Sequence, residues 1–238
     1  MTIALPELPD NPCLFPDPVH ALDQPNGLLA FGGDLSPTRL MAAYRLGIFP
    51  WFNPGEPILW WSPNPRGVIA PGEVVINTSL RKWLRKTPYR YRCNTAFDQV
   101  LGGCAAPREG QSGTWLSPQM RTAYNRLHGL GFAHSVEVWL EDKLVGGLYG
   151  VTVGNIFCGE SMFHRHPNAS KAAFVALHAH LEGKAALIDC QLMNPHLARL
   201  GVYEMPRAQY LALLAAERDR PMAPELWIPG EWPCPLTS

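Results

Sequence analysis

The stretch "KLVGGLYGVTVGNIFCGESMF", residues 143–163, decides the fold class. Its β-branched and aromatic residues, among them Val145, Tyr149, Val151, Ile156 and Phe157, fall into two runs separated by Gly154-Asn155. Residues of that kind fit a pleated surface, and a Gly-Asn pair supplies the positive φ angles of a tight hairpin turn. Two antiparallel strands turned at Gly154-Asn155 are therefore predicted. On the N-terminal side, "FAHSVEVWL", residues 132–140, alternates strictly and places Phe132, His134, Val136, Val138 and Leu140 on one face of a further strand. Before it, "SPQMRTAYNRLHGLG" opens with Ser117 and Pro118 as N-cap and first-turn residue of a helix, with Gly129 as its C′ residue. On the C-terminal side, "NASKAAFVALHAHLE", residues 168–182, reads as a helix capped by Asn168 or Ser170. "ALIDCQLMNPHLARLG", residues 186–201, then supplies a strand and a short helix, and a last helix runs from about Pro206 to Arg218.

The pattern changes near residue 65. Residues 1–65 are rich in Pro, Gly and Trp and contain one clear helix, with Ser36 as N-cap, Pro37 at its first position, Leu40, Met41 and Tyr44 at helical spacing and Gly47 after its end. "IFPWFNPGEPILWWSPNPRG", residues 48–67, then carries Trp51, Trp60 and Trp61 among five prolines. Proline breaks helices and central strands alike, so an ordered loop or short hairpin is expected there. The three tryptophans read either as interface core or as an aromatic wall for a ligand. The expected organisation is a small N-terminal domain, residues 1–65, and a second domain, residues 66–238, of α+β class with a mixed sheet and flanking helices.

Composition narrows the function classes. The 238 residues are 47% hydrophobic and 17% charged, ordinary values for a globular chain. No apolar run approaches the roughly 18 residues of a membrane helix, and "MTIALPELPDNP" lacks the basic and apolar regions of a signal peptide. No membrane association and a cytoplasmic location are expected. The six cysteines form no CxxC pair. The pairs His164/His166 and His178/His180 lie in a turn and a helix, where i and i+2 do not share a face, so no metal is expected.

Net charge is zero, yet "RKWLRKTPYRYR", residues 81–92, concentrates six of the twenty Lys and Arg residues, with Trp83, Tyr89 and Tyr91 interleaved. Arg81, Lys82, Arg85 and Lys86 form either a phosphate-binding surface or a solvated helix face. A second irregularity lies in "LIDCQ". Ile188, Cys190 and Leu192 take one face of the strand, while Asp189 and Gln191 interrupt the other. Side chains at i and i+2 share a face about 6.6–6.8 Å apart, so the two can flank one bound group. A hydrogen-bonded or solvent-facing pair is the alternative.

The order of elements, a strand meander, a helix, a further strand and a helix, resembles the fold shared by N-acetyltransferases, a GNAT-like arrangement. "RLHGLG", Arg126 to Gly131, matches the pyrophosphate loop of that fold in letters. It closes a helix and opens a strand, whereas a pyrophosphate site needs a helix N-terminus. An acyl-CoA-dependent N-acetyltransferase therefore stands as the alternative function, and a plain RNA-binding module built on residues 81–92 as a third.

"FGGDLSPTRLMAAYRLGIFPWF", "PILWWSPNPRG", "GTWLSPQMRTAYNRLHGLGFAHSVE", "GESMF", "NASK" and "LIDCQ" with "HLARLG" together resemble the leucyl/phenylalanyl-tRNA–protein transferase family, in its order and over about residues 15–210. The chain departs from the family pattern after "GESMF", where His164 stands in place of the usual Ser. The resemblance implies a cofactor-free enzyme that moves Leu or Phe, less readily Met, from aminoacyl-tRNA to the α-amine of proteins with N-terminal Arg or Lys. The product enters N-end rule degradation. It also implies Asp189 and Gln191 as the catalytic pair and Glu160 as a carboxylate for the aminoacyl ammonium or the acceptor. Trp51, Trp115, Met162 and Phe174 are implied as the wall of the donor side-chain pocket.

The chemistry is consistent with such sparse machinery. An aminoacyl ester is already activated, and an α-amine with a pKa near ~7.7 is partly neutral at cellular pH. Orientation is the main requirement, and it can lower a barrier by roughly 7–11 kcal/mol. On this expectation the Gln191 carbonyl accepts from the amine while Asp189 holds the Gln191 amide and attracts the cationic acceptor.

Overall fold

The computed structural model describes residues 5–107 and 116–236. A three-stranded sheet forms first from β1 (Leu28–Phe31), β2 (Phe49–Pro50) and β3 (Leu59–Trp61), in the order β1-β3-β2, with α1 (Pro37–Arg45) between β1 and β2. The chain continues through β4 (Arg66–Ile69), α2 (Thr78–Lys86), β5 (Tyr89–Cys93), α3 (Phe97–Ala105) and α4 (Pro118–Gly129). Then come the meander β6 (Ala133–Leu140), β7 (Lys143–Val153) and β8 (Ile156–His164), the crossover helix α5 (Ala169–Leu181) and β9 (Leu187–Gln191). The last elements are α6 (Pro195–Ala198), β10 (Tyr203–Met205), α7 (Arg207–Glu217) and β11 (Gly230–Trp232). The large sheet runs β10-β4-β9-β8-β7-β6-β5-β11 and is antiparallel except between β8 and β9, so the architecture is mixed α+β. Among the described residues, no helix is long and apolar enough to cross a membrane.

Local sequence accounts for most boundaries. Ser36, Asn77 and Ser117 each accept a backbone N–H three residues on, and Pro37 and Pro118 occupy first-turn positions where a missing N–H is harmless. The β7–β8 turn falls at Gly154-Asn155, as the hairpin pattern predicts. Two helix ends differ from expectation. Gly129 is still helical, and the left-handed residue is Gly131 (φ 80°), with Phe132 N–H donating to Leu127 O at 2.9 Å. Asn168 occupies the N-cap of α5 in a left-handed conformation (φ 59°), and its side-chain oxygen is held by Lys171 Nζ at 3.2 Å rather than capping the helix.

The large sheet has a core on each face. Odd positions of β6 and β7, such as Ala133, Trp139, Tyr149 and Val151, pack with Leu40 and Tyr44 of α1, Leu101 of α3 and Tyr124 of α4. Val136, Val138 and Leu148 face Leu80 and Leu84 of α2 and Phe174 and Leu177 of α5. The strict alternation of residues 132–140 points to a half-buried strand, but seven of the eight residues of β6 are buried because helices cover both faces. One polar residue there is Glu137, fully buried, whose carboxylate accepts the Thr95 and Ala96 N–H groups (2.8 and 2.7 Å), the Ser135 hydroxyl and the Thr95 hydroxyl. It ties β6 to the start of α3, whose N-cap residue Ala96 has no side-chain donor or acceptor of its own.

Candidate active site

Strands β8 and β9 run parallel only for Ile156–Leu187, Phe157–Ile188 and Cys158–Asp189. Just beyond, each strand carries one extra residue. On β8, Tyr149 and Gly150 of β7 face Ser161 and Gly159, which leaves Glu160 as the bulged residue. On β9, Gly67 and Val68 of β4 face Gln191 and Asp189, which leaves Cys190 bulged. Bulges re-aim side chains and end pairing, here at the same level of two neighbouring strands. Gln191 completes the break with a left-handed backbone (φ 62°).

The bulge separates the two polar groups that the strand period places together. Asp189 is fully buried, and its carboxylate accepts from four donors: Arg66 Nε at 2.8 Å, Arg66 Nη2 at 2.7 Å, the Tyr210 hydroxyl at 2.9 Å and the Gln191 N–H at 2.8 Å. Arg66, equally buried, also donates to Gly47 O at 3.1 Å and lies over the rings of Phe49 and Tyr210. Burial alone would lower the pKa of Arg66, but the Asp189 carboxylate beside it raises the pKa above its usual value. Gly47 has φ 73°, and a Cβ there would stand 2.7 Å from Leu211 and 2.9 Å from Tyr210, so only glycine fits beside this pair.

Gln191 instead meets Glu160 across the gap where pairing has stopped. Its Nε2 donates to Glu160 Oε1 at 2.8 Å. Glu160 also accepts from the Tyr44 hydroxyl (2.8 Å, Oε1) and the Tyr124 hydroxyl (2.7 Å, Oε2), and those hydroxyls lie 2.9 Å apart. Burial pushes the Glu160 carboxyl up to about 7, against the two phenol hydrogen bonds, which pull it down. The group therefore changes charge in the physiological range. With Glu160 an acceptor, the Gln191 amide must turn Nε2 toward it, leaving Oε1 for an incoming donor.

Both side chains border a cavity of about 700 Å³ between the parted strands and α5. Its wall is apolar at Met162, Phe174, Leu177 and Ile188, and Cys190 and Gln191 both reach it, as the bulge requires. The volume lies within the range of small-molecule sites, roughly 300–1,000 Å³, and the few polar groups set orientation.

Of the residues singled out in the sequence, Glu160, Gln191, Met162 and Phe174 are brought to one cavity. Asp189 lies beside it, but its carboxylate is taken up by Arg66 and Tyr210. The expectation that it holds the Gln191 side-chain amide is corrected: Glu160 does so, and Asp189 holds the Gln191 backbone N–H. Trp51 is 44% exposed, does not border the cavity, and packs edge-to-face on Trp61. Trp115 lies outside the described residues. Arg81, Lys82, Arg85 and Lys86 are all exposed on α2. The paired histidines diverge: His166 meets Tyr89, His164 faces Ser170, His178 packs on Phe174 and His180 stacks on Trp232. Sequence reasoning missed Tyr44, Tyr124, Arg66 and Tyr210. For Tyr44 and Tyr124 a signal existed, because a tyrosine on the buried stripe of a helix needs a partner for its hydroxyl.

Comparison with known proteins identifies the family. A family model described as "Leucyl/phenylalanyl-tRNA protein transferase" matches residues 68–215, and one for the N-terminal domain of the same family matches residues 33–64. A leucyl/phenylalanyl-tRNA–protein transferase of Shewanella sp. (strain ANA-3) is 56% identical over 218 residues, 91% of this chain and 92% of that protein. Those of Shewanella oneidensis and Shewanella woodyi are 55% and 56% identical over the same shares. With matches of this extent on both sides of residue 65, the chain belongs to the leucyl/phenylalanyl-tRNA protein transferase family.

Proposed function

We propose that this chain is an aminoacyltransferase that moves Leu or Phe, less readily Met, from aminoacyl-tRNA to the α-amine of proteins with N-terminal Arg or Lys. Bond formation needs no ribosome and no cofactor, and the cytoplasmic product enters N-end rule degradation. The observation that carries this reading is the Gln191–Glu160 hydrogen bond at the edge of the apolar cavity, 2.8 Å across the gap between β8 and β9.

The donor side chain occupies the cavity, against Met162 and Phe174. An unbranched Cβ enters such a pocket more readily than the branched Cβ of Val or Ile. Gln191 Oε1 accepts from the acceptor α-amine and aims its lone pair at the ester carbonyl carbon, as orientation requires. As the C–N bond forms and the ester C–O bond breaks, the amine loses a proton and the ribose oxygen gains one. Glu160, with a pKa near 7, is the group placed to carry that proton or to meet an ammonium. Asp189 acts at one remove, fixing the backbone of Gln191, because Arg66 already balances its charge. Trp51 offers an exposed ring on which the terminal adenine stacks. The four cations of α2 contact tRNA phosphates more remote from the ester. In this reading residues 1–65 and 66–238 are two domains, and Tyr44 is the contribution of the first to the site.

The test is incubation with leucyl-tRNA labelled in the amino acid and a peptide with N-terminal Arg, without ribosomes, beside a parallel reaction with labelled acetyl-CoA. Label transfer to the peptide from tRNA alone is expected. Transfer from acetyl-CoA alone would place the chain with the N-acetyltransferases.

A further inference from the structure

A second group of basic side chains lies at the opening of the cavity. His164 and Arg165 are exposed and border the cavity, so they mark where it meets solvent. His196 borders it from α6. Arg199 is the C-cap of that helix, and Lys171 on α5 follows Ser170, which borders the cavity and meets His164 Nδ1. Burial, and then the positive charges of Lys171, Arg199 and His164, hold the His196 imidazole below its usual pKa. Arg165, Lys171 and Arg199 form no ion pair among the described residues; Arg165 lies over the Phe163 ring and Lys171 holds Asn168 Oδ1. In a chain of zero net charge, so many unbalanced cations at one opening mark a site for an anion.

The group is continuous with the basic face of α2. His166, next to Arg165, lies 6.1 Å from the Trp83 ring and receives or donates a 2.6 Å hydrogen bond with the Tyr89 hydroxyl. Trp83 sits between Lys82 and Arg85 in sequence. The Trp83–His166 contact therefore brings the segment that carries Arg165 against the helix that carries the four exposed cations, and basic groups spread over both elements suit a polyanion better than a single acidic side chain.

We propose that Arg165, Lys171 and Arg199, with His164 and His196, form a phosphate-binding patch that holds the internucleotide phosphates next to the aminoacylated nucleoside of the donor. The proposal rests on the reading of the cavity as the aminoacyl site. The patch fixes the last nucleotides of the donor, while α2 meets phosphates farther along the strand.

The test compares two donors, phenylalanyl-adenosine, which has no phosphate, and the phenylalanyl ester of cytidylyl-cytidylyl-adenosine, which has two internucleotide phosphates. The acceptor is a peptide whose side chains after the N-terminal Arg are all uncharged. In the wild type kcat/KM is expected to favour the trinucleotide, increasingly so at low salt. The Arg165→Ala/Lys171→Ala/Arg199→Ala variant should lose about tenfold or more of that preference, and Arg165→Lys/Arg199→Lys should restore most of it. An unchanged preference, or an equal fall with both donors, overturns the patch. So does an effect that tracks acidic residues added to the acceptor, which would assign the cations to the protein substrate. Anisotropy of the labelled trinucleotide without its amino acid measures the patch without turnover: weaker binding in the triple variant supports it and equal binding refutes it. A wild type that transfers from neither donor yet binds the trinucleotide would refute the transferase reading alone.

Discussion

Asp189→Asn tests what the buried carboxylate does. Asp189 and Arg66 are 0% and 1% exposed, and four donors converge on the two carboxylate oxygens. An Asn oxygen in the place of Oδ1 keeps the bonds from Arg66 Nε and the Gln191 N–H. Its amide nitrogen then faces Arg66 Nη2 and the Tyr210 hydroxyl, and Nη2, a donor only, is left without an acceptor there. The guanidinium is also left as an uncompensated buried charge, a change that costs about 3–5 kcal/mol. Total stability of a domain is about 5–15 kcal/mol, so a large share of it is at stake. Urea unfolding should show a midpoint lowered by about 1–2 M, for a slope on the order of 2–3 kcal/mol/M. Replacing both partners, as Arg66→Met/Asp189→Leu, should recover most of that stability without recovering the rate, since the Gln191 N–H loses its acceptor. A variant Asp189→Asn with the wild-type midpoint and a raised KM for Arg-initiated peptides would refute this reasoning. It would mean that the carboxylate meets the acceptor and not Arg66.

Glu160 sets a pH dependence. Its carboxyl, pushed up to about 7 by burial, should give transfer an ascending limb centred near pH 7, and Tyr124→Phe, which removes a bond favouring the charged form, should move that midpoint upward by about one unit, read from kcat against pH. For stability the sign is opposite: the folded chain binds this proton more tightly than the unfolded one, so the group lowers stability as pH rises from about 4.5 to about 7, and Glu160→Gln should not lower Tm at pH 8. Neutralising Arg81, Lys82, Arg85 and Lys86 together should weaken tRNA binding and flatten the salt dependence by about 0.7–0.9 for each phosphate no longer neutralised, measured as log Kd against log salt; an unchanged slope would return the helix face to solvent. Glu137→Gln should destabilise the fold by about 1–3 kcal/mol in urea, since five hydrogen bonds, that from Trp139 Nε1 included, then share a neutral side chain, with activity per folded molecule retained.

Local rules made much of the fold legible. The hairpin at Gly154-Asn155 and the Ser-Pro helix starts depend on residues adjacent in sequence, and each falls where those residues place it. The site was legible as a set of residues but not as a geometry. Strand period alone puts Asp189 and Gln191 on one face, and the bulge at Cys190 that parts them is set by pairing with β4, more than 120 residues away in sequence. The same holds for Arg66, whose role depends on a strand too short to read in a proline-rich region. Glu160 was legible as an acidic candidate, but its two phenol partners come from α1 and α4, and no local pattern links them.

Gln191, held by Glu160, orients the acceptor amine against the aminoacyl ester in this mechanism, and every other assignment at the site depends on that role. Single-turnover transfer from saturating leucyl-tRNA to a saturating Arg-initiated peptide, compared between the wild type and Gln191→Ala, isolates it. An orienting group acts mainly in the transition state, so the rate of the chemical step should fall by about 100-fold or more while the Kd for leucyl-tRNA stays within about twofold. A Gln191→Ala variant with the wild-type single-turnover rate, or one whose whole defect is a weakened Kd, would contradict an orienting role for Gln191.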